Sequence, residues 1–177
     1  MQAENFYVLS RGNSHFWARM AFERKHICME AALRKIKHYC AYRERSHSEV
    51  KDKLYGFGLY KSEVEQLIST MVEENYLNEE RYAIAFAGGH FRMKQWGRTK
   101  IKYEMKQKGI GEYCIRKALA SIGQDNYQKT FNKLAREKQR LLKSETNIYT
   151  KKKKLQNYLL GKGYEFELIA GLLKEVI

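Results

Sequence analysis

From Arg45 to Met71 the apolar residues fall into two short helical patterns around a glycine-bearing turn. Val50 and Leu54 share one helical face, Gly56 and Gly58 punctuate it, and Val64, Leu67, Ile68 and Met71 resume it. The second run has the i, i+3, i+4, i+7 spacing of an amphipathic stripe. The pattern recurs twice. Val50, Leu54, Gly58, Leu59, Val64, Ile68 and Met71 map, 51 residues on, to Ile101, Met105, Gly109, Ile110, Ile115, Leu119 and Ile122. A further 54 residues on they map to Leu155, Leu159, Gly163, Tyr164, Ile169, Leu173 and Val176. Self-similarity at a nearly fixed period is the mark of tandem structural units. The glycine kept in all three copies predicts a left-handed cap at the end of a helix.

Each copy follows another helical stretch. Residues 21–45 read as the first helix, with Ala32, Ile36, Tyr39 and Cys40 near one face. Ser46 with Glu49 has capping-box spacing for the next helix, and Ser48 is an alternative cap. The third helix is expected from about Lys61 to Glu74, with Ser62 as cap and Asn75 as stop. Asn78 and the acidic pair Glu79-Glu80 predict another helix start. Tyr82, Ala85, Phe86 and Gly89 mark its expected inner face, and close approach of a neighbouring helix is the expected reason for Gly88-Gly89. A third unit opens near Asn126 with Phe131, Leu134 and Ala135, in a helix that is either long or broken between Ser144 and Thr150. The expected organisation is an arm of undetermined structure over 1–27, then three-helix repeats over 28–77, 78–125 and 126–177. Such units bury little alone, so the fold class is all-α, three tandem three-helix repeats stacked into an elongated, curved molecule. Phe6, Val8, Leu9, Phe16 and Trp17 suggest a small hairpin or an arm folded back on the body, and a short frayed terminus is the alternative.

Composition narrows the function. The 177 residues contain no proline, 44% are hydrophobic, and the net charge is +14. This is a folded basic chain whose expected partners are polyanions or the proteins that carry them. Three widely spaced cysteines imply no disulfide framework, and neither a membrane span nor a secretory signal is readable, so a cytoplasmic protein is expected. His26-x-Cys28 and His38-x-Cys40 resemble zinc ligands, but a helix between them would part the pairs by roughly 18 Å, so no metal site is expected. Gly56-x-Gly58 and Gly109-x-Gly111 lack the strand and the Gly-Lys-Ser/Thr of a phosphate loop. No nucleophile–base arrangement is visible, so neither a catalytic site nor a cofactor is expected.

Positive charge concentrates in two stretches. Residues 92–108 hold Arg92, Lys94, Arg98, Lys100, Lys102, Lys106 and Lys108 against Glu104 alone. Residues 129–154 hold ten basic residues against Glu137 and Glu145. Either stretch can neutralise phosphates or dock on an acidic protein surface. Trp96, Tyr55 and Phe57 lie beside basic residues; base stacking and core packing both remain open for Trp96, and packing is favoured for Phe57.

Arg43 to Leu54 with Gly58, Tyr76 to Ala87, Trp96 to Ile101 and Lys108 to Ile110 together resemble the RecX family. Leu159 to Phe166 resembles its third-repeat segment, with Lys162-Gly163-Tyr164 where Arg-Gly-Phe is commoner. The resemblance covers roughly residues 28–177 and implies a regulator that binds in the groove of the RecA–DNA filament. It implies inhibition of RecA ATPase, strand exchange and co-protease activity in recombination, DNA repair and the SOS response. It further implies sequence-nonspecific binding of single- or double-stranded DNA, no catalysis, no membrane partner and a monomer. The alternative is a helical module that binds DNA without RecA. The residues expected to face RecA or DNA are Arg92, Lys94, Trp96, Arg98, Lys100, Lys102, Lys106, Lys108, Lys151, Lys152, Lys153, Lys154 and Lys162. Charge reversal at Arg98 and Lys102 is expected to weaken filament binding without unfolding the chain.

Overall fold

The computed structural model describes residues 26–175, all of whose regular structure is helical. The reading of residues 1–20, Phe6 to Trp17 included, and the repeat position Val176 lie outside the described residues. Nine helices run in order among them: α1 Met29–Tyr42, α2 His47–Gly56, α3 Lys61–Glu73, α4 Glu79–Lys94, α5 Arg98–Gln107, α6 Glu112–Ala120, α7 Gln124–Leu141, α8 Ile148–Lys162 and α9 Phe166–Glu175. None is long and apolar enough to cross a membrane.

The threefold pattern is a burial pattern. Val50, Ile101 and Leu155 are buried, as are Leu54, Met105 and Leu159, then Leu59, Ile110 and Tyr164, then Val64, Ile115 and Ile169. Each such apolar side chain contributes about 1.5–3 kcal/mol on burial. Gly58, Gly109 and Gly163 all turn left-handed, with φ of 85°, 73° and 86°. At each, the chain leaves one helix of the repeated pair and enters the next.

Several ends differ from the expected ones. Residues 26–28 precede the first helix, which runs from Met29 and stops at Tyr42 rather than Arg45; the expected stretch 21–25 lies outside the described residues. Ser46 caps α2 by accepting the Glu49 N–H at 3.2 Å, but the Glu49 carboxylate does not complete the box; it receives the Lys108 ammonium at 3.0 Å. α3 is entered through Tyr60 and not capped by Ser62, and the Tyr60 N–H donates to the Glu63 carboxylate at 2.7 Å. Asn75 supplies the expected stop with φ of 59°, and Asn78 caps α4 by accepting the Arg81 N–H at 2.9 Å. The long stretch of the third unit is broken: α7 ends at Leu141 and α8 begins at Ile148 behind Asn147, which accepts two amide N–H groups.

The inner face of α4 is the main correction. Ala83, Ala87 and Phe91 are its buried residues together with Tyr82, whereas Ala85 is exposed and Phe86 and Gly89 are half-buried. Among the described residues, no neighbouring helix lies against the positions where side chains would stand on the glycine pair. A methyl at Gly89 would meet nothing within 4 Å, and one at Gly88 would meet only the Arg92 side chain.

The core divides unequally. Residues of α1–α3 and the turn after them, from Ala32 to Leu77, form one apolar cluster. Residues from Tyr82 to Ile169 form a second, continuous through α4–α9. The two meet across polar contacts: Arg81 with Glu44 at 2.6 Å and Lys108 with Glu49 at 3.0 Å.

Candidate functional site

The joint between α5 and α8 organises the expected site. Helix α5 opens at Arg98 with Gly97 as its N-cap, and its first amides would be orphans without partners. Helix α8 closes at Lys162, where the carbonyls are the orphans. The two ends meet. The Gly97 N–H donates to the Lys162 carbonyl at 2.8 Å, and the Thr99 N–H donates to the Gly163 carbonyl at 3.1 Å. The positive end of one helix dipole thereby faces the negative end of another. Glycine is required on both sides: a methyl on Gly97 would overlap the Gly163 carbonyl, and one on Gly163 would overlap the Lys100 side chain.

A buried tyrosine locks the joint. Tyr127 accepts the Arg98 N–H at 3.0 Å and donates to the Glu165 carboxylate at 2.6 Å. Burial, then the Glu165 contact, drives its phenol well above the ordinary tyrosine range. The Arg98 guanidinium lies 4.3 Å from the Tyr127 ring centre and donates to the Gln124 side chain and the Ile122 carbonyl, each at 3.0 Å. Arg98 is half-buried and held within the joint, so reversing its charge would open the joint as well as change a surface.

Most other cations of 92–108 are also engaged. Lys102 and Lys106 both pair with Glu112, at 2.7 and 3.1 Å, and hold its carboxyl below the ordinary range. Lys108 is held by Glu49, a contact that raises the pKa of its ammonium. Lys100 donates to the Gly161 carbonyl and Lys162 to the Lys94 carbonyl, both at 3.3 Å, each cation near a helix C-terminus. Trp96 is crowded: the ammonium groups of Lys94 and Lys100 lie 4.6 and 4.8 Å from its ring, and His90 lies 4.6 Å away. The indole is half-buried with these three groups beside it. Arg92 is exposed and leans over Gly88.

Lys94, Trp96, Lys100 and Lys162 thus converge at the joint, while Lys102 and Lys106 lie apart on the Glu112 side of α5. Lys151, Lys152, Lys153 and Lys154 occupy the first turns of α8, where Lys154 pairs with Glu145. Phe57 packs against the first core cluster beneath Lys35 and Lys53.

A further set emerges on α7. Lys129, Lys133, Arg136, Arg140 and Lys143 line one side of this helix and the turn after it, and the two hollows described below open along them. Their spacing of 4, 3, 4 and 3 keeps them on one face. Lys129 to Arg140 spans roughly 16 Å at the α-helical rise. One acid, Glu137, touches the row, 4.0 Å from Lys133 in a solvent-exposed pair worth little. Two shallow hollows, each of about 440 Å³, lie along this row. The heptad-like spacing is present in the sequence; a count of charge per stretch hides it.

A larger cleft, of about 640 Å³, opens where the two core clusters meet. Arg43, Glu44 and Glu49 line it from the first three helices, and Ala85, Phe86, Gly89, His90 and Met93 line it from α4. The His90 imidazole stacks on Phe86 at 4.0 Å, and burial lowers its pKa below the ordinary value.

Family models match two stretches of the chain. A family model for the second three-helix domain of RecX matches residues 78–119, and one for the third three-helix domain matches residues 124–173. The chain is similar to the regulatory protein RecX of Clostridium botulinum (strain Eklund 17B / Type B), 32% identical over 151 residues, covering 85% of this chain and 68% of that one. It is similar to the same-named protein of Clostridium perfringens (strain 13 / Type A), 31% identical over 151 residues, covering 84% and 68%. Among solved structures, RecX from Lactobacillus salivarius superposes with a TM-score of 0.74 at 21% identity, over 83% of this chain and 95% of that one. A second structure of a regulatory protein RecX gives a TM-score of 0.74 at 20% identity, over 94% and 79%.

Proposed function

The chain belongs to the RecX family of regulatory proteins, and we propose that it acts by binding the RecA–DNA filament and inhibiting RecA. The activities restrained are ATP hydrolysis, strand exchange and co-protease action, and the protein works without chemistry of its own. It acts as a monomer in the cytoplasm, through three units spanning 28–77, 78–125 and 126–177. The observation that carries the reading is the row of five cations along α7, opposed by one weakly placed acid. A polyanion assembly offers such a row many phosphates at once, and each neutralised phosphate releases counterions. Lys151, Lys152 and Lys153 on α8, with Arg92 and Lys94 beside the joint, extend the supply of cations that have no acid partner among the described residues. Lys102 and Lys106 share one acid, Glu112, and Lys108 has Glu49, so their charges are partly offset within the chain, while Arg98 is tied into the joint by neutral partners.

The test is RecA ATPase on single-stranded DNA, with and without this protein, alongside binding to preformed filaments across a salt series. Inhibition with salt-sensitive binding is expected. Replacing Lys129, Lys133, Arg136, Arg140 and Lys143 by Gln should flatten the log–log salt dependence by about 0.7 for each single-strand phosphate that is no longer neutralised. The same change at Lys102 and Lys106 should leave the slope alone. No inhibition and no filament binding at moderate salt would refute the reading. DNA binding of equal strength without any effect on RecA would favour a module that acts on DNA directly.

A further inference from the structure

The cleft between the two core clusters has features that the described residues do not use. Glycine inside a helix costs about 1 kcal/mol relative to alanine. Gly88 and Gly89 lie in the interior of α4, both with helical backbone, and no neighbouring helix requires their smallness. Gly89 instead forms part of the cleft wall, beside Ala85 and Phe86. Met93, also on that wall, is 87% exposed. An unbranched, polarisable side chain held in solvent beside small residues suits contact with an apolar group supplied from outside.

Charge selects the occupant. Both acids of the cleft are matched within the chain, Glu44 by Arg81 and Glu49 by Lys108. Two of its cations, Arg43 and Lys94, have no acid partner among the described residues, and both line the cleft. Burial also disfavours the cationic form of His90. An occupant that fits therefore carries carboxylates for Arg43 and Lys94 and an apolar side chain for the wall of Ala85, Phe86 and Gly89.

We infer that this cleft is a docking site for an acidic, apolar segment of a protein partner. The site is separate from the α7 row and does not depend on the filament reading. A nucleic acid strand would bring phosphates for Arg43 and Lys94 but no apolar side chain for the wall of Ala85, Phe86 and Gly89. Stacking already covers one face of Phe86 and one of His90.

The test uses the full chain and a fluorescein-labelled dodecapeptide of Asp and Glu with two Leu residues, read by anisotropy. In parallel, methyl NMR of the methionines should show Met93 shifting while buried Met71 and Met105 stay fixed. Exchanging the peptide's Leu for Ser, or its acids for Lys, should each weaken binding at least tenfold. The deciding variant is Gly89→Leu. It places a side chain in the cleft where nothing blocks it and improves the helix, so its thermal midpoint should rise while peptide affinity falls at least tenfold. Arg43→Glu with Lys94→Glu should give a similar loss. Absence of peptide binding, or equal binding by Gly89→Leu, would overturn the inference. So would a single-stranded oligonucleotide that binds in the peptide's place and is blocked by the same variant.

Discussion

Three glycines test how the repeat and the joint divide the work. Gly97, Gly109 and Gly163 are each to be replaced by alanine, one at a time. Gly109 has φ of 73° and open space around it, so the variant meets only the left-handed strain of about 1–2 kcal/mol. Lower entropy of the unfolded chain offsets about 0.4–1 kcal/mol of that. The net loss is about 1 kcal/mol. Gly163 occupies the equivalent repeat position with φ of 86°, but its methyl would overlap Lys100. To the same strain it adds overpacking of about 1–3 kcal/mol. Separating the helix ends also loses two amide–carbonyl bonds at about 0.5–1.5 kcal/mol each. The total is about 3–7 kcal/mol. Gly97 has φ of −74°, so its variant escapes the strain but not the overlap, and about 2–6 kcal/mol is expected. For a domain of this size 1 kcal/mol moves the midpoint by about 2–4 °C. Thermal unfolding followed by circular dichroism should therefore rank the losses Gly163 above Gly97 above Gly109. A Gly163 variant no less stable than the Gly109 variant would show that the α5–α8 joint adds little to stability.

Two other outcomes follow from the same geometry. Tyr127→Phe removes the acceptor of the Arg98 N–H and the donor to Glu165, and should cost about 1–3 kcal/mol in urea denaturation, with the guanidinium left over the ring. His90 resists protonation when folded, so the unfolded state binds more protons in acid; this contribution is present above the ordinary imidazole value and is lost as pH falls through the folded pKa. Urea midpoints between about pH 7.5 and 5 should accordingly fall less steeply for His90→Phe, and identical slopes would remove His90 as a cause.

What the sequence reveals is mostly local. The left-handed glycines and the four buried positions of each repeat are set by neighbours within a few residues, so spacing alone locates them. The caps at Ser46 and Asn78 are local too. The inner face of α4 is hard to read because Ala83, Ala87, Ala85 and Gly89 are all small, and small residues do not announce which side is packed. The fate of the basic residues is not legible either. Lys108 finds Glu49 from another unit, and Lys102 and Lys106 find Glu112 across a turn. Charge counted along the chain cannot see pairings made across it. The α5–α8 joint is invisible for the same reason, since its bonds link residues about 65 positions apart.

That separation has a consequence in time. The amides at the head of α5 leave the ribosome well before the carbonyls at the tail of α8 that complete them. At the usual 5–20 residues per second the interval is about 3–13 s. During it the middle of the chain has its apolar stripe but not its cap, and Tyr127 has not yet met Glu165. The last-made helices are then the closing stone of the second core rather than an appendage to it. A chain cut before Lys162 should leave that core unfinished, while the first cluster, whose partners are all in place by Leu77, has no need to wait.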